Sequence, residues 1–229
     1  MRPGLAAIRR FYLPFILVQL ASVSIVISYY HLPAFQEFCL VLAEWKVRGG
    51  LLFAALSTVL AGGILPEVAK ALTGKLDLSQ GFNAYVSHVF WICLMFVCSG
   101  ILVERFYWLQ GLIFSHDIGP VTVLTKVLVD QFLFSPFMSL PYAVLYFLWL
   151  EEERSLSRTW TRLTPRLMIE RSLPLLFPNW VYWIPMTACI YSLPPDLQFP
   201  LFLTALAAWS LIFVAIAKQP SRDIPQALP

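Results

Sequence analysis

Lys126, Asp130 and Gln131 stand in the first half of an apolar run that extends over residues 119–150. The run is longer than the roughly 20 residues a helix needs to cross a bilayer. An Asp or Lys at mid-membrane costs roughly 2.5–3.5 kcal/mol on insertion scales. On a helix Lys126 and Asp130 lie one turn apart on one face, where they can pair. That shared face has to turn away from lipid. Pro136 and Pro141 follow, and each removes a backbone donor and kinks a helix interior. Two readings fit these residues: an ion pair that fixes helix packing, or the wall of a polar path.

Other polar candidates flank this segment. Glu67 follows Pro66 in an apolar run and has Lys70 three residues on, the spacing of an interfacial ion pair. Glu104 and Arg105 are neighbours, so on a helix they point about 100° apart and are not automatic partners. Phe106, Tyr107 and Trp108 follow them as an aromatic cluster, a composition typical of the membrane interface. His31, His88 and His116 lie near the ends of apolar segments, where histidines are mostly interfacial. The cysteines 39, 93, 98 and 189 are scattered, and the spacing of Cys93 and Cys98 is wrong for a CxxC motif. We expect no disulfide framework, metal site or cofactor. No serine has a plausible His partner, so no enzyme is expected. P-loop and dinucleotide glycine motifs are missing.

The elements that must position these residues are helices. The 229 residues are 59% hydrophobic and 13% charged, with mean hydropathy +0.73. A soluble domain is nearer half apolar and a quarter charged. The expected fold is all-α: a polytopic helical membrane bundle of five to six transmembrane helices plus one amphipathic surface helix. The net charge of +3 and the lack of a basic run with interleaved aromatics argue against nucleic acid as a partner. The partners expected are membrane lipids and small solutes, with a homo-oligomer left open.

Apolar segments fall at 11–30, 47–72, 85–114, 119–150, 172–193 and 198–217. The first follows Arg2, Arg9 and Arg10 and reads as an uncleaved signal-anchor helix, because the run is long for a signal-peptide core and no clear cleavage site follows. With an amphipathic connector over 31–46 it makes an N-terminal unit, 1–46. The bundle proper is 47–217, and 218–229 is a polar tail. The second segment is rich in small residues, among them Ala61, Gly62 and Gly63, which let helices approach closely. Residues 151–171 carry Arg154, Arg158 and Arg162 at four-residue spacing, so they line one face of an amphipathic surface helix. Six crossings with the N-terminus inside place twelve basic residues inside, against Lys46, Arg48 and Arg105 outside. That asymmetry fits the positive-inside rule, with both termini on the cytoplasm- or matrix-like side. Five crossings fit slightly less well; the first and the Pro-rich fifth segments are the ones in question.

Lys126, Asp130, Gln131 and Pro136 spell K-x3-D-Q-x4-P on a spanning helix. This resembles the peroxisomal membrane protein family, the small 22-kDa-class proteins of peroxisomal and inner mitochondrial membranes. That family carries Gly-Pro-x-x-His-x-Trp-Tyr on the preceding helix. The matching run here begins at Gly100 and ends at Tyr107, with Ile101, Glu104 and Phe106 in place of Pro, His and Trp. Gly62-Gly63 followed by Glu67 stands where the family has a Gly-Asp…Gln pattern. Trp160, Pro185, the Leu193-Pro194 turn and Trp209-Ser210 fall in the family's order, without its Asn-Phe before the turn. The resemblance covers residues 47–217 and is that of a distant relative. It implies a channel or pore for small solutes across an inner membrane, with Lys126, Asp130 and Gln131 along the path. Pro136 would free a carbonyl to face it. Glu104, neutralised by Arg105 or His116, would sit near one mouth. No amphipathic, Arg- and Ser-rich transit peptide precedes the first apolar run, which leans towards a bacterial membrane over a mitochondrial or peroxisomal one.

Overall fold

The structure is a computed structural model that describes residues 2–76 and 78–216. The polar tail over 218–229 lies outside the described residues, and so do the side chains before Leu13. Seven helices form, and no strand is present among the described residues. They are α1 (Arg2–His31), α2 (Pro33–Leu72), α3 (Phe82–Phe114), α4 (Pro120–Glu151), α5 (Leu156–Arg162), α6 (Pro165–Tyr191) and α7 (Pro195–Ile216). The all-helical bundle expected from composition is what forms. Five helices (α1 from Leu13, α2, α3, α4 and α7) are long and apolar enough to cross a membrane. The protein is therefore multi-pass.

Starts and breaks follow local chemistry. Pro120 and Pro165 stand in the first turns of α4 and α6, where a missing N–H costs nothing. The Thr164 hydroxyl caps α6 by accepting from the Leu167 amide at 3.1 Å. α2 is too long for one crossing, and it breaks at Gly50, whose φ of 50° and ψ of −130° suit only glycine. The connector before this break is helical and belongs to α2. α1 packs on α2, α6 and α7, with Phe15 against Tyr182 and Trp209. The N-terminal helix is thus part of the bundle.

Residues 151–171 do not make one surface helix. Glu153 and Arg154 adopt left-handed φ values of 51° and 64°, so the chain turns and restarts as α5. Arg154 is off the helical face that its spacing suggested. Arg158 reaches back to Glu153, and Arg162 to Glu151 and Glu152. The ion pairs to Glu151, Glu152 and Glu153 cross the turn. α5 keeps the amphipathic character, with Leu156 and Trp160 exposed.

The Pro-rich α6 is not among the five strongly apolar helices, yet its C-terminal half is enclosed by the bundle. Tyr182, Met186 and Ile190 are fully buried, and α6 packs on α1, α4 and α7. The enclosed half, from Asn179 to Tyr191, faces protein, so its polar groups find partners. Gln19 donates to the Tyr182 carbonyl at 2.8 Å, and the Tyr182 hydroxyl donates to the Ala205 carbonyl at 2.7 Å. The peripheral helices instead present Leu17, Leu52, Phe90 and Leu133 outward, as a lipid-facing surface requires.

The helix ends sort into two groups. Tyr30 donates to the Ser192 carbonyl, which joins the ends of α1 and α6. Tyr85 with Glu67, Arg154 with Ser87, and Arg171 with Glu151 join the other ends. The six long helices therefore alternate in direction.

Candidate functional site

Lys126 stands in the last turn of the α-helical first part of α4, Pro120–Val129, and Asp130 and Gln131 open a π-helical stretch, Asp130–Ser139. Their side chains are buried, with relative exposures of 2, 6 and 2%. Asp130 Oδ2 accepts from the Tyr191 hydroxyl, and Oδ1 accepts from Gln131 Nε2 at 2.9 Å. The Tyr191 hydroxyl in turn accepts from Gln110 Nε2 at 2.6 Å. One chain of side-chain hydrogen bonds therefore joins α3, α6 and α4. Lys126 Nζ lies 6.0 Å from the centroid of the Tyr191 ring, at the limit of a cation–π contact.

Lys126 and Asp130 do not pair as their spacing suggested. Among the described residues no ion pair joins them; Tyr191 serves both, with its hydroxyl on the carboxylate and its ring towards the ammonium. Tyr107 belongs to the same cluster. Its ring meets Tyr191 edge-on at 5.4 Å and Phe202 at 6.0 Å, closing the site against α7. The Gln110 and Gln131 Oε1 atoms are buried without a hydrogen-bond partner.

Pro136 lies inside the π-helical stretch. In the π register the amide of residue 136 would meet the carbonyl of residue 131, and proline has no N–H. The freed Gln131 carbonyl is not left facing a path. It accepts from Trp180 Nε1 at 2.7 Å. One turn further on, Asn179 donates to Ser135 Oγ at 2.8 Å, so α6 stitches along the widened part of α4.

Glu104 and Glu67 stand apart from the cluster. Glu104 is neutralised by neither Arg105 nor His116. Lys46 lies 3.1 Å from it and 3.7 Å from Asp196. The reason is the break at Gly50, which lets the first part of α2 carry Lys46 over α3. Arg105, one residue on, points elsewhere. Glu67 pairs with Lys70 and accepts from the Tyr85 hydroxyl at 2.8 Å, at the opposite end of the bundle. Gly100 has a packing role: a Cβ there would meet Thr58 Oγ1 and come within 2.6 Å of the Ala54 carbonyl oxygen.

Gln110, Tyr191 and Trp180 were not singled out in the sequence. Gln110 carries the same signal as Gln131, an amide within an apolar span. Tyr191 carries none, because a tyrosine at a span end is the usual belt residue. No group of three or more His, Cys, Asp or Glu that could hold a metal ion occurs among the described residues. All four cysteines are free.

A groove of about 430 Å³ lies between α4 and α6 at this end, lined by Val123 and Val127 of α4 and Ile184, Ala188 and Ser192 of α6. Val127 and Ala188 precede Asp130 and Tyr191 by three residues, which places them on the same helix faces. The groove wall thus continues towards the polar cluster.

No family model matches the chain, and neither a curated protein nor a solved structure matches it.

Proposed function

We propose that this multi-pass membrane protein passes small polar solutes along the α4–α6 seam and past the Asp130 cluster. The carrying observation is the two buried amide oxygens, of Gln110 and Gln131, left without partners beside a buried carboxylate and ammonium. A cluster built only for packing has reason to satisfy every such group, because an unpaired buried acceptor costs about 1–3 kcal/mol. The groove whose wall leads towards the cluster supports the same reading, as does the K-x3-D-Q-x4-P resemblance to a family of small-solute channels. Asp130 favours cations locally, and Lys126 partly cancels it. The membrane is an inner one, bacterial or organellar, and both termini lie on its basic side.

A second reading is favoured by a separate observation. The Asp130 carboxylate holds two donors and ties three helices, which is what a packing lock does. Solute flux from liposomes separates the two. Flux through wild type that falls several-fold in Asp130→Ala, with helix content and monodispersity retained, supports the path. Flux absent from both proteins, with Asp130→Asn unfolding more readily, supports the lock, because the amide puts a donor where the carboxylate accepted from Tyr191 or Gln131.

A further inference from the structure

At the opposite end of the bundle lies a larger groove, about 710 Å³, lined by Tyr142, Leu145, Tyr146 and Trp149 of α4 and by Leu156 and Trp160 of α5. Three observations there remain without a role in the solute path. Trp149 lines the groove, yet its Nε1 is buried with no hydrogen-bond partner. An indole nitrogen can only donate, so this group suits an acceptor brought by a ligand. Glu153 and Arg154 are consecutive non-glycine residues in left-handed conformation, a strained arrangement that the surroundings must hold. The turn they make places the Arg154 guanidinium 5.6 Å from the centroid of the Trp91 ring, with Nη1 donating to Ser87 Oγ at 3.0 Å. Trp91 meets the groove-lining Trp149 at 5.2 Å. The third observation is charge. Arg158, Arg162, Arg166 and Arg171 are each paired with glutamate, whereas Arg154 has no acidic partner among the described residues.

We propose that this groove is a binding site for an anionic phospholipid. An acyl chain lies along Tyr142, Leu145 and Trp160, a glycerol ester carbonyl accepts from Trp149 Nε1, and the phosphate meets Arg154. The location fits such a ligand. The groove sits at the ends of membrane-crossing helices, where tyrosine and tryptophan mark the headgroup level and basic pockets take lipid heads. α5 turns the exposed Leu156 and Trp160 to the same level, as an interfacial helix does. The unpaired donor in its wall, and the cation without an acidic partner one ring away beyond Trp91, distinguish this groove from the lipid-facing surface elsewhere, which is apolar.

Native mass spectrometry of the purified full chain, exchanged into phosphatidylglycerol or phosphatidylcholine, tests the proposal. Wild type should retain phosphatidylglycerol over phosphatidylcholine. Arg154→Ala and Trp149→Phe should each lower that retention several-fold, while Arg166→Ala, which breaks an exposed ion pair at the same end, should leave it unchanged. Ser157→Trp, which fills the groove from α5 and leaves Trp149 and Arg154 themselves unchanged, serves as the groove variant should the first two fold poorly. Equal retention of both lipids by wild type would overturn the proposal. So would wild-type retention of phosphatidylglycerol by folded Arg154→Ala and Trp149→Phe, or by folded Ser157→Trp.

Discussion

Tyr191 is the residue on which the buried cluster depends. Its hydroxyl accepts from Gln110 and donates to Asp130, and its ring faces Lys126. Tyr191→Phe keeps the ring and removes both hydrogen bonds, which leaves a buried amide donor and half of a carboxylate unpartnered. Single side-chain hydrogen bonds inside membranes contribute about 0.6 kcal/mol on average, whereas an orphaned buried group costs about 1–3 kcal/mol. The loss expected is nearer the larger figure, with a lowered melting temperature in detergent. Lys126→Met should cost less, because it removes a buried charge and leaves no hydrogen bond of the cluster broken. A Tyr191→Phe protein that melts with wild type would remove the hydrogen-bond chain as a stabilising feature. The four-residue spacing of Lys126 and Asp130 placed them on one helix face and suggested an ion pair that does not form. That a tyrosine from a helix some 60 residues downstream would stand on both was not legible, because spacing describes only a residue's own helix.

Within α4, the π-helical stretch and Pro136 make one device. The widened register and the missing proline amide free the Gln131 carbonyl, and Trp180 of α6 occupies it. A double-mutant cycle tests this coupling by unfolding in denaturant. Trp180→Phe alone should destabilise by about 1–3 kcal/mol, since it leaves a buried carbonyl unpartnered. In the Pro136→Ala background the cost should be smaller, because residue 136 then brings its own amide. The expected coupling is about 0.5–3 kcal/mol. Strict additivity would show that Trp180 and Pro136 act independently. Proline in a spanning segment announced a free carbonyl from sequence alone. Its capping by an indole did not show, because Trp180 reads equally well as an interfacial anchor.

At the scale of the whole molecule, the alternation of helix ends predicts sidedness. In a cysteine-free background, Gln80→Cys and Ser157→Cys should react with an impermeant thiol reagent from one side of a sealed membrane. Gln36→Cys and Asp196→Cys should react from the other. Labelling of Asp196→Cys from the side of Ser157→Cys would mean that α6 does not cross and that five spans hold. α6 decides this count, because it alone of the six long helices lacks a strongly apolar composition. The packing of its C-terminal half on α1, α4 and α7 lets that half carry polar groups without removing the helix from the membrane.

Sequence alone determined the class of the protein and the rough position of each helix. Long apolar runs have no soluble alternative, and Pro136 acts through backbone geometry that needs no distant partner to free a carbonyl. It also marked Lys126, Asp130 and Gln131, because any polar group in an apolar span must find a partner or water. Only the tertiary structure decided who those partners are. Tyr191 reaches Asp130, Lys46 reaches Glu104, and Arg154 turns back to Trp91, each across a helix packing or a chain reversal. Such choices are made by which faces meet once the helices cross, and the periodicity of a single segment holds no information about them.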